Sequence, residues 1–349
     1  MAIRRLTVFE PGRIGFEEVE EPPLRPIDVR VRVKYCGICG TDLGIYSGNS
    51  GLVRDGLIKY PKRIGHEWSG VVEEVGADVT NVKAGDPIVS MNGTPCGECA
   101  ACAAGRVFDC PNWQSVGTIG TAPGAFAETM TLPASVVYRL PDHVALDEAA
   151  LTEPASIAYN GLLHFDFTGW PALVIIGTGA IGLTAVPLAK QLGAGKIILA
   201  GRKDVKLEVG CAMGADIVVN TTRENLTEAV MRETEGLGAQ AVLETSGAPD
   251  CLLSGVNSTR AKGRVTSVAF YEQPLDGLNI DSLVMRGVSL QGMYGHPGVM
   301  EELLLLLGAG KLNLRPLITH VYPFHEAPEV FRRVHEKADT KIKMLIRMA

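Results

Sequence analysis

No apolar run in this 349-residue chain approaches the ~18 residues that a membrane-spanning helix requires. The opening residues, Met1-Ala2-Ile3-Arg4-Arg5, lack the apolar stretch of a secretory signal, so the expected location is cytoplasmic, with no membrane partner. Basic blocks are missing too. With 33 Lys and Arg against 39 Asp and Glu the formal charge is −6, which offers no electrostatic footprint for nucleic acid. Internal repeats and low-complexity tracts are absent, and only 21% of residues are charged beside a mean hydropathy of +0.15, which excludes general disorder. What these absences leave is a globular chain of about two domains whose expected partners are small molecules and copies of itself, as a homodimer or homotetramer.

Eight cysteines are present, and in a reducing compartment they point to metal ligands or buried thiols rather than disulfides. Cys96, Cys99, Cys102 and Cys110 fall in one short loop, a spacing that lets four thiolates surround one ion tetrahedrally with bonds of about 2.3 Å. Every coordination position would be filled by protein, so such a zinc would be structural and would brace the lobe 93–112. Two strained disulfides or free thiols are the alternative. A nucleic-acid-binding zinc ribbon would want basic flanks, whereas Ala100, Ala101, Ala103 and Ala104 surround these cysteines. Cys36, Cys211 and Cys251 are expected to pack in the interior.

Two textures divide the chain. Early on, Val29, Val31 and Val33 alternate with Arg30, Arg32 and Lys34, a period of two that buries one face of a strand. Further short runs at 70–75, 87–91 and 126–132 are separated by glycine, proline and aspartate, as in a small irregular barrel or sandwich. From about Leu151, apolar runs at 173–176, 196–200, 241–244, 264–270 and 288–292 alternate with helical patterns near 181–192, 205–213, 226–235 and 251–261. Continuous apolar strands between helices imply a parallel sheet covered on both faces. The Leu303 to Leu307 run reads as a buried helix, and the tail from Lys341 to Ile346 alternates again. The middle is therefore expected to be an α/β domain inserted into a discontinuous β domain, with boundaries at 1–155 and 291–349 against 156–290.

Within the middle domain Gly177-Thr178-Gly179-Ala180-Ile181-Gly182 follows a strand and opens a helix. Its first glycine suits a tight turn, the second lets a pyrophosphate approach the backbone, and the third lets helix pack on sheet. About twenty residues on, an acid would meet the ribose hydroxyls of NAD, but the sequence there is Gly201-Arg202-Lys203. Two cations and no carboxylate favour NADP, with NAD as the alternative. Asp204 reads as a helix cap.

Scattered through the first half are Cys39 in Gly37-Ile38-Cys39-Gly40-Thr41-Asp42, His66 and Glu67 in Gly65-His66-Glu67-Trp68-Ser69-Gly70, and Glu153 in Leu151-Thr152-Glu153-Pro154. A thiolate, an imidazole and a carboxylate would leave zinc one open position, as a catalytic site requires. Together with the four-cysteine lobe and the glycine fingerprint, these motifs resemble the zinc-containing alcohol and polyol dehydrogenases of the medium-chain dehydrogenase/reductase superfamily, in order and spacing and over nearly the whole chain. That resemblance implies a doubly wound Rossmann sheet inserted into a GroES-like irregular β-barrel, and two zinc ions per chain, one catalytic and one structural. It makes Cys39 rather than Cys36 a ligand of the catalytic zinc, His66 the second, and Glu67 or Glu153 the third. Neighbours on an extended strand point to opposite faces, so His66 and Glu67 share an ion only where the backbone turns, a restriction Glu153 escapes. Asp42 is expected to accept a hydrogen bond from the ligand histidine.

The implied reaction is reversible oxidation of a secondary alcohol of a polyol or sugar-like substrate to a ketone, with hydride transfer to the nicotinamide. Thr41 matches the residue that takes the alcohol proton, and water, the cofactor ribose and Glu153 are the candidates for its onward path, because the histidine that often continues the relay is Gly44 here. Tyr46, Ser47, Asn49 and Arg54 are candidate polyol contacts, and Trp68 is expected to pack. The runner-up is a threonine-type or simple alcohol dehydrogenase using NAD, ahead of a non-catalytic cofactor-binding protein.

Overall fold

The computed structural model describes residues 2–169, 172–293, 297–334 and 340–348. In the first stretch, β1 (Ala2–Glu10) and β2 (Arg13–Glu20) form an antiparallel hairpin, which weak alternation hid from the sequence reading. The valine alternation becomes β3 (Asp28–Gly37), with Val29, Val31 and Val33 fully buried and Arg32 on the outer face paired with Glu73. There follow β4 (Lys62–Arg63), β5 (Glu67–Val75), β6 (Pro87–Ser90), β7 (Thr129–Pro133) and β8 (Val137–Arg139).

The middle stretch alternates as expected: β9 (Ala172–Ile176), β10 (Lys196–Gly201), β11 (Ile217–Asn220), β12 (Ala239–Glu244), β13 (Thr259–Ser267) and β14 (Ser289–Gly292), with helices over Ala180–Gln191, Asp204–Ala212, Leu226–Glu233 and Pro249–Ser258. All pair parallel, in the order β11-β10-β9-β12-β13-β14. Leu173, Val174, Ile175 and Ile176 are buried on both faces, which is why the strand reads as an unbroken apolar run. β11 went unread because only Val219 of its four residues is buried, and the helix Ile280–Arg286 because none of its residues is.

Beyond it the helix Met300–Gly308 buries Leu303, Leu304 and Leu307 but leaves Leu305 exposed. The chain then returns to the first sheet through β15 (Ile318–Pro323) and β16 (Lys343–Arg347). That sheet runs β15-β16-β3-β5-β6-β8, with β7 also on β3, beside a smaller one of order β2-β1-β4. The expected alternation of the last strand does not hold: Lys343, Met344, Leu345 and Ile346 are all buried. Two compact units result, one of residues Met1–Glu153 with Met300–Ala349 and one of Pro154–Val299. Each has its own apolar core, the first around Trp68, Phe126 and Phe331, the second around Ile176, Ile198, Val242 and Val265. No helix among the described residues is long and apolar enough to cross a membrane.

One interior cation bears on stability. Lys62 is buried on β4, donating from Nζ to the carbonyls of Gly120 (2.8 Å) and Ala122 (3.5 Å), with no acidic partner among the described residues. Burial alone lowers its pKa from 10.5 to about 8. A folded-state pKa below the unfolded one means that the unfolded chain binds more protons between those values, so stability rises across that window and the full burial cost is present below it. The urea midpoint of the wild type is therefore expected to gain on that of Lys62→Met as pH is raised from 8 towards 10. Parallel curves would show that the amine carries no such cost.

Candidate functional site

Cys39 is the N-cap of the helix Gly40–Ser47, where Asp42 Oδ2 accepts its backbone N–H at 2.9 Å. His66 follows Gly65, whose φ of +101° turns the backbone immediately before β5 begins at Glu67. A side chain on Gly65 would meet the backbone N of Phe126 at 2.8 Å and Cys36 Sγ at 3.0 Å, so the turn is specific to glycine. Although His66 and Glu67 are neighbours in the chain, ligand atoms of Cys39, His66 and Glu67 lie within 4.8 Å of one another. His66 and Glu67 are buried and Cys39 is half-buried.

Three charged groups, Lys343, Glu153 and Asp42, flank the cluster. Glu67 forms a buried ion pair with Lys343, whose Nζ also donates to Ile38 O at 3.2 Å. Burial works against charge on Lys343, but Glu67 and Cys39 outweigh it and raise its pKa. Glu153 lies outside the three-residue cluster and accepts from Asn92 Nδ2 at 3.3 Å. Burial pushes its carboxyl up to about 7, with Glu67 adding to the rise and His66, Lys343 and Asn92 opposing it. Asp42 faces the histidine it was expected to partner: its Oδ1 stands 3.5 Å from His66 Nδ1 and also accepts the backbone N–H of Gly65 at 3.1 Å. Burial disfavours a charged His66, yet Asp42 and Cys39 together hold its pKa well above the usual value. A field that favours a proton on this imidazole favours any cation in its place.

Thr41 Oγ1 lies 3.8 Å from Cys39 Sγ. Tyr46 packs edge-on against Phe331, Ser47 donates to Gly44 O at 3.2 Å, and Arg54 donates to the carbonyl of Asn49 at 2.8 Å, so these candidate polyol contacts have local partners. Trp68 is buried in the core, as expected. Lys343 was missed, since nothing in sequence ties it to Glu67, 276 positions away.

In the lobe, Cys96, Cys99, Cys102 and Cys110 converge. Their sulfurs stand 3.6 Å (Cys96–Cys110), 3.9 Å (Cys99–Cys110) and 4.0 Å (Cys96–Cys102) apart. A tetrahedron with zinc–sulfur bonds of about 2.3 Å has edges of about 3.8 Å, whereas a disulfide needs about 2.05 Å. The spacing fits one four-thiolate ion, and all eight cysteines are free. Backbone N–H groups of Glu98 and Cys99 bring Cys96 down to about 6, while desolvation takes Cys102 up to about 12. Of the three cysteines assigned to packing only Cys36 is fully buried. Cys211 is exposed, because it sits on the outer side of the helix Asp204–Ala212.

In the other unit the fingerprint lies at the carboxyl end of β9. Gly177 N–H donates to Ala200 O at 2.9 Å, and a side chain on Gly201 would overlap Thr178, so Gly177–Gly182 and Gly201–Lys203 are adjacent. A side chain on Gly182 would overlap Gly177 O and meet Thr245 Oγ1 at 2.8 Å, the close helix–sheet approach its position implies. Arg202 and Lys203 are exposed. Asp204 is the first residue of its helix rather than the cap. The N-cap is Lys203, and the Asp204 carboxylate is held by Asn220 Nδ2 (2.6 Å) and by Arg223.

Known proteins resemble the chain over most of its length. Residues 25–142 match the alcohol dehydrogenase GroES-like domain and residues 180–307 the zinc-binding dehydrogenase domain. An L-threonine 3-dehydrogenase of Caldanaerobacter subterraneus is 34% identical over 313 residues, 88% of each chain. The sorbitol dehydrogenase of Bacillus subtilis is 28% identical over 333 residues, 95% of this chain and 94% of that one. A zinc-binding dehydrogenase of Sinorhizobium meliloti, solved bound to NADP, superposes with a TM-score of 0.89 at 26% identity over 99% of both chains. The chain belongs to the zinc-containing medium-chain alcohol dehydrogenases, NAD(P)-linked oxidoreductases with a GroES-like domain and a Rossmann sheet.

Proposed function

We propose that the chain oxidises a secondary alcohol of a polyol or sugar-like substrate reversibly to the ketone, with NADP as hydride acceptor. The observation that carries the reading is the convergence of Cys39, His66 and Glu67 from separate segments onto one point. Two anionic donors and one imidazole match the charge and softness of a zinc ion. A zinc held there would supply Lewis acidity to the substrate hydroxyl, and a second in the lobe would brace the fold. Cys39, His66 and Glu67 would hold the ion, with Lys343 fixing the orientation of Glu67. Thr41 takes the hydroxyl proton at Oγ1, and the buried carboxyl of Glu153 is the candidate for its onward path. The unit that carries Cys39, Met1–Glu153 with Met300–Ala349, is the catalytic domain, and Pro154–Val299 holds the dinucleotide.

The fingerprint Gly177–Gly182 takes the pyrophosphate. NADP is supported by exposed Arg202 and Lys203, by the engagement of Asp204 with Arg223, and by the NADP on the Sinorhizobium relative. Arg202→Ala is expected to raise KM for NADP by roughly tenfold or more and leave NAD nearly unchanged. A variant that loses both cofactors equally would overturn the assignment of the 2′-phosphate site. The relatives named threonine 3-dehydrogenase support a second reading, an NAD-linked threonine-type enzyme. A screen of polyols, inositols, sugar acids and threonine with each cofactor separates the two, and turnover of threonine with NAD alone would reject the first.

A homodimer or homotetramer is part of the same reading. β14 ends the parallel sheet, and the neighbouring helix leaves Ile280, Val284 and Met285 57%, 74% and 80% exposed. So much apolar surface beside a sheet edge supports burial against a second copy. Light scattering is expected to give a multiple of 37.2 kDa, and a monomer at micromolar concentration would refute it.

A further inference from the structure

The parallel sheet reverses its direction of growth between β9 and β12, which lie side by side although three strands apart in sequence. Ligands of such sheets sit outside the carboxyl ends of the strands at that reversal. Glu244 is the last residue of β12, in register with Ile176 on one side and Ser267 on the other. It is wholly buried, and it has no cationic partner among the described residues.

Four donors replace a counter-charge. Glu244 Oε1 accepts the N–H of Ser246 at 2.7 Å and the Ser246 hydroxyl, while Oε2 accepts the N–H of Gly247 at 3.3 Å and the hydroxyl of Tyr271. The Tyr271 hydroxyl is also 2.9 Å from Ser267 Oγ. Desolvation and the bond to Glu244 raise the Tyr271 pKa, so its proton stays in place to be donated. The carboxylate thus clamps the loop 245–248 to the segment that follows β13. On its other side the same loop meets the fingerprint: Thr245 donates from both N (2.9 Å) and Oγ1 (2.8 Å) to Ile176 O, and Ser246 N lies 3.2 Å from where a side chain on Gly177 would begin. At Gly247, φ is +70° and a side chain would reach Phe270 O at 2.5 Å. The Glu244 carboxylate therefore joins the loop 245–248 to the segment after β13, and Thr245 ties the same loop to the end of β9.

From this geometry we infer that Glu244 is a positioning residue for the cofactor, fixing the loop 245–248 as the wall of the nicotinamide half of the dinucleotide site. The inference rests on the dinucleotide reading above and deepens it. The first half of the sheet, β9 to β11, carries the fingerprint and Arg202, which serve the adenosine half. The second half begins at β12, so its first carboxyl-end loop faces the other mononucleotide.

A residue that acts only on overall stability would weaken every ligand alike, and a positioning residue for one half would not. Titrations of the zinc-loaded enzyme with NADPH, NADH and ADP-ribose, the last lacking nicotinamide, tell these apart. Glu244→Ala leaves four donors without their acceptor. It is expected to weaken the better reduced dinucleotide by about tenfold, the scale of one lost buried hydrogen-bonding group, and ADP-ribose by less than about twofold. Tyr271→Phe removes one donor and is expected to show the same selectivity at about a third of the effect. Should Glu244→Ala fail to fold, Glu244→Gln keeps one acceptor oxygen but turns a donor towards Gly247 N–H, and the same selectivity is expected. Equal weakening of all three ligands, or none, would overturn the inference while leaving the dinucleotide reading intact. Failure of the wild type to bind any of them would instead overturn that reading.

Discussion

Cys39→Ala is expected to lower kcat/KM by about three orders of magnitude and to reduce the zinc content from two ions per chain to one. The size follows from the chemistry: loss of Lewis-acid stabilisation is worth several kcal/mol, and each 1.4 kcal/mol is a factor of ten. The alanine leaves His66 and Glu67 as the remaining members of the cluster, and Glu67 is already engaged by Lys343, so the residual set is a weak cation site. The thiolates of Cys96, Cys99, Cys102 and Cys110 belong to a separate cluster and keep their ion. Metal analysis alongside steady-state rates reads both quantities on one preparation. Full activity with one zinc would remove Cys39 from the catalytic site, and loss of both ions would mean that the substitution had unfolded the domain.

Much of this site was open to reading from sequence, for identifiable physical reasons. The four-cysteine lobe is contiguous and needs no tertiary information, so its spacing alone predicts that the sulfurs converge. The fingerprint is local as well, because strand, glycine turn and helix adjoin. The choice between Glu67 and Glu153 stays open in the sequence, since it depends on the local backbone where β5 begins. Strand periodicity places consecutive side chains on opposite faces, whereas ligand atoms of His66 and Glu67 lie within 4.8 Å of each other at that strand end. In the fold, strands with two covered faces or clean alternation were legible, while the β1–β2 hairpin and β11, with mixed burial, were not.

Least legible was Lys343, and it is expected to have the largest effect on stability. In the sequence it belongs to the Lys341 to Ile346 alternation, which gives it no partner. In the structure the lysine is 4% exposed and Glu67 1% exposed, joined by an ion pair between strands 276 positions apart in the chain. Coulomb attraction between buried charges roughly offsets their desolvation, so the intact pair adds little net stability, but removing one member strands the other. Lys343→Met is accordingly expected to cost about 3–5 kcal/mol in urea unfolding at neutral pH, and Glu67→Gln a comparable amount. If burial of an uncompensated charge is the cause, the double variant Glu67→Gln/Lys343→Met recovers much of that loss, with a coupling of about 2 kcal/mol or more. Strict additivity of the two single costs would instead mean that each side chain acts through its packing, and that the terminal strand is held by apolar contacts alone. The same cycle bears on function. A Glu67 no longer held by the ammonium can turn, so the single variant Lys343→Met should also change zinc affinity in a way that packing variants of neighbouring Met344 do not.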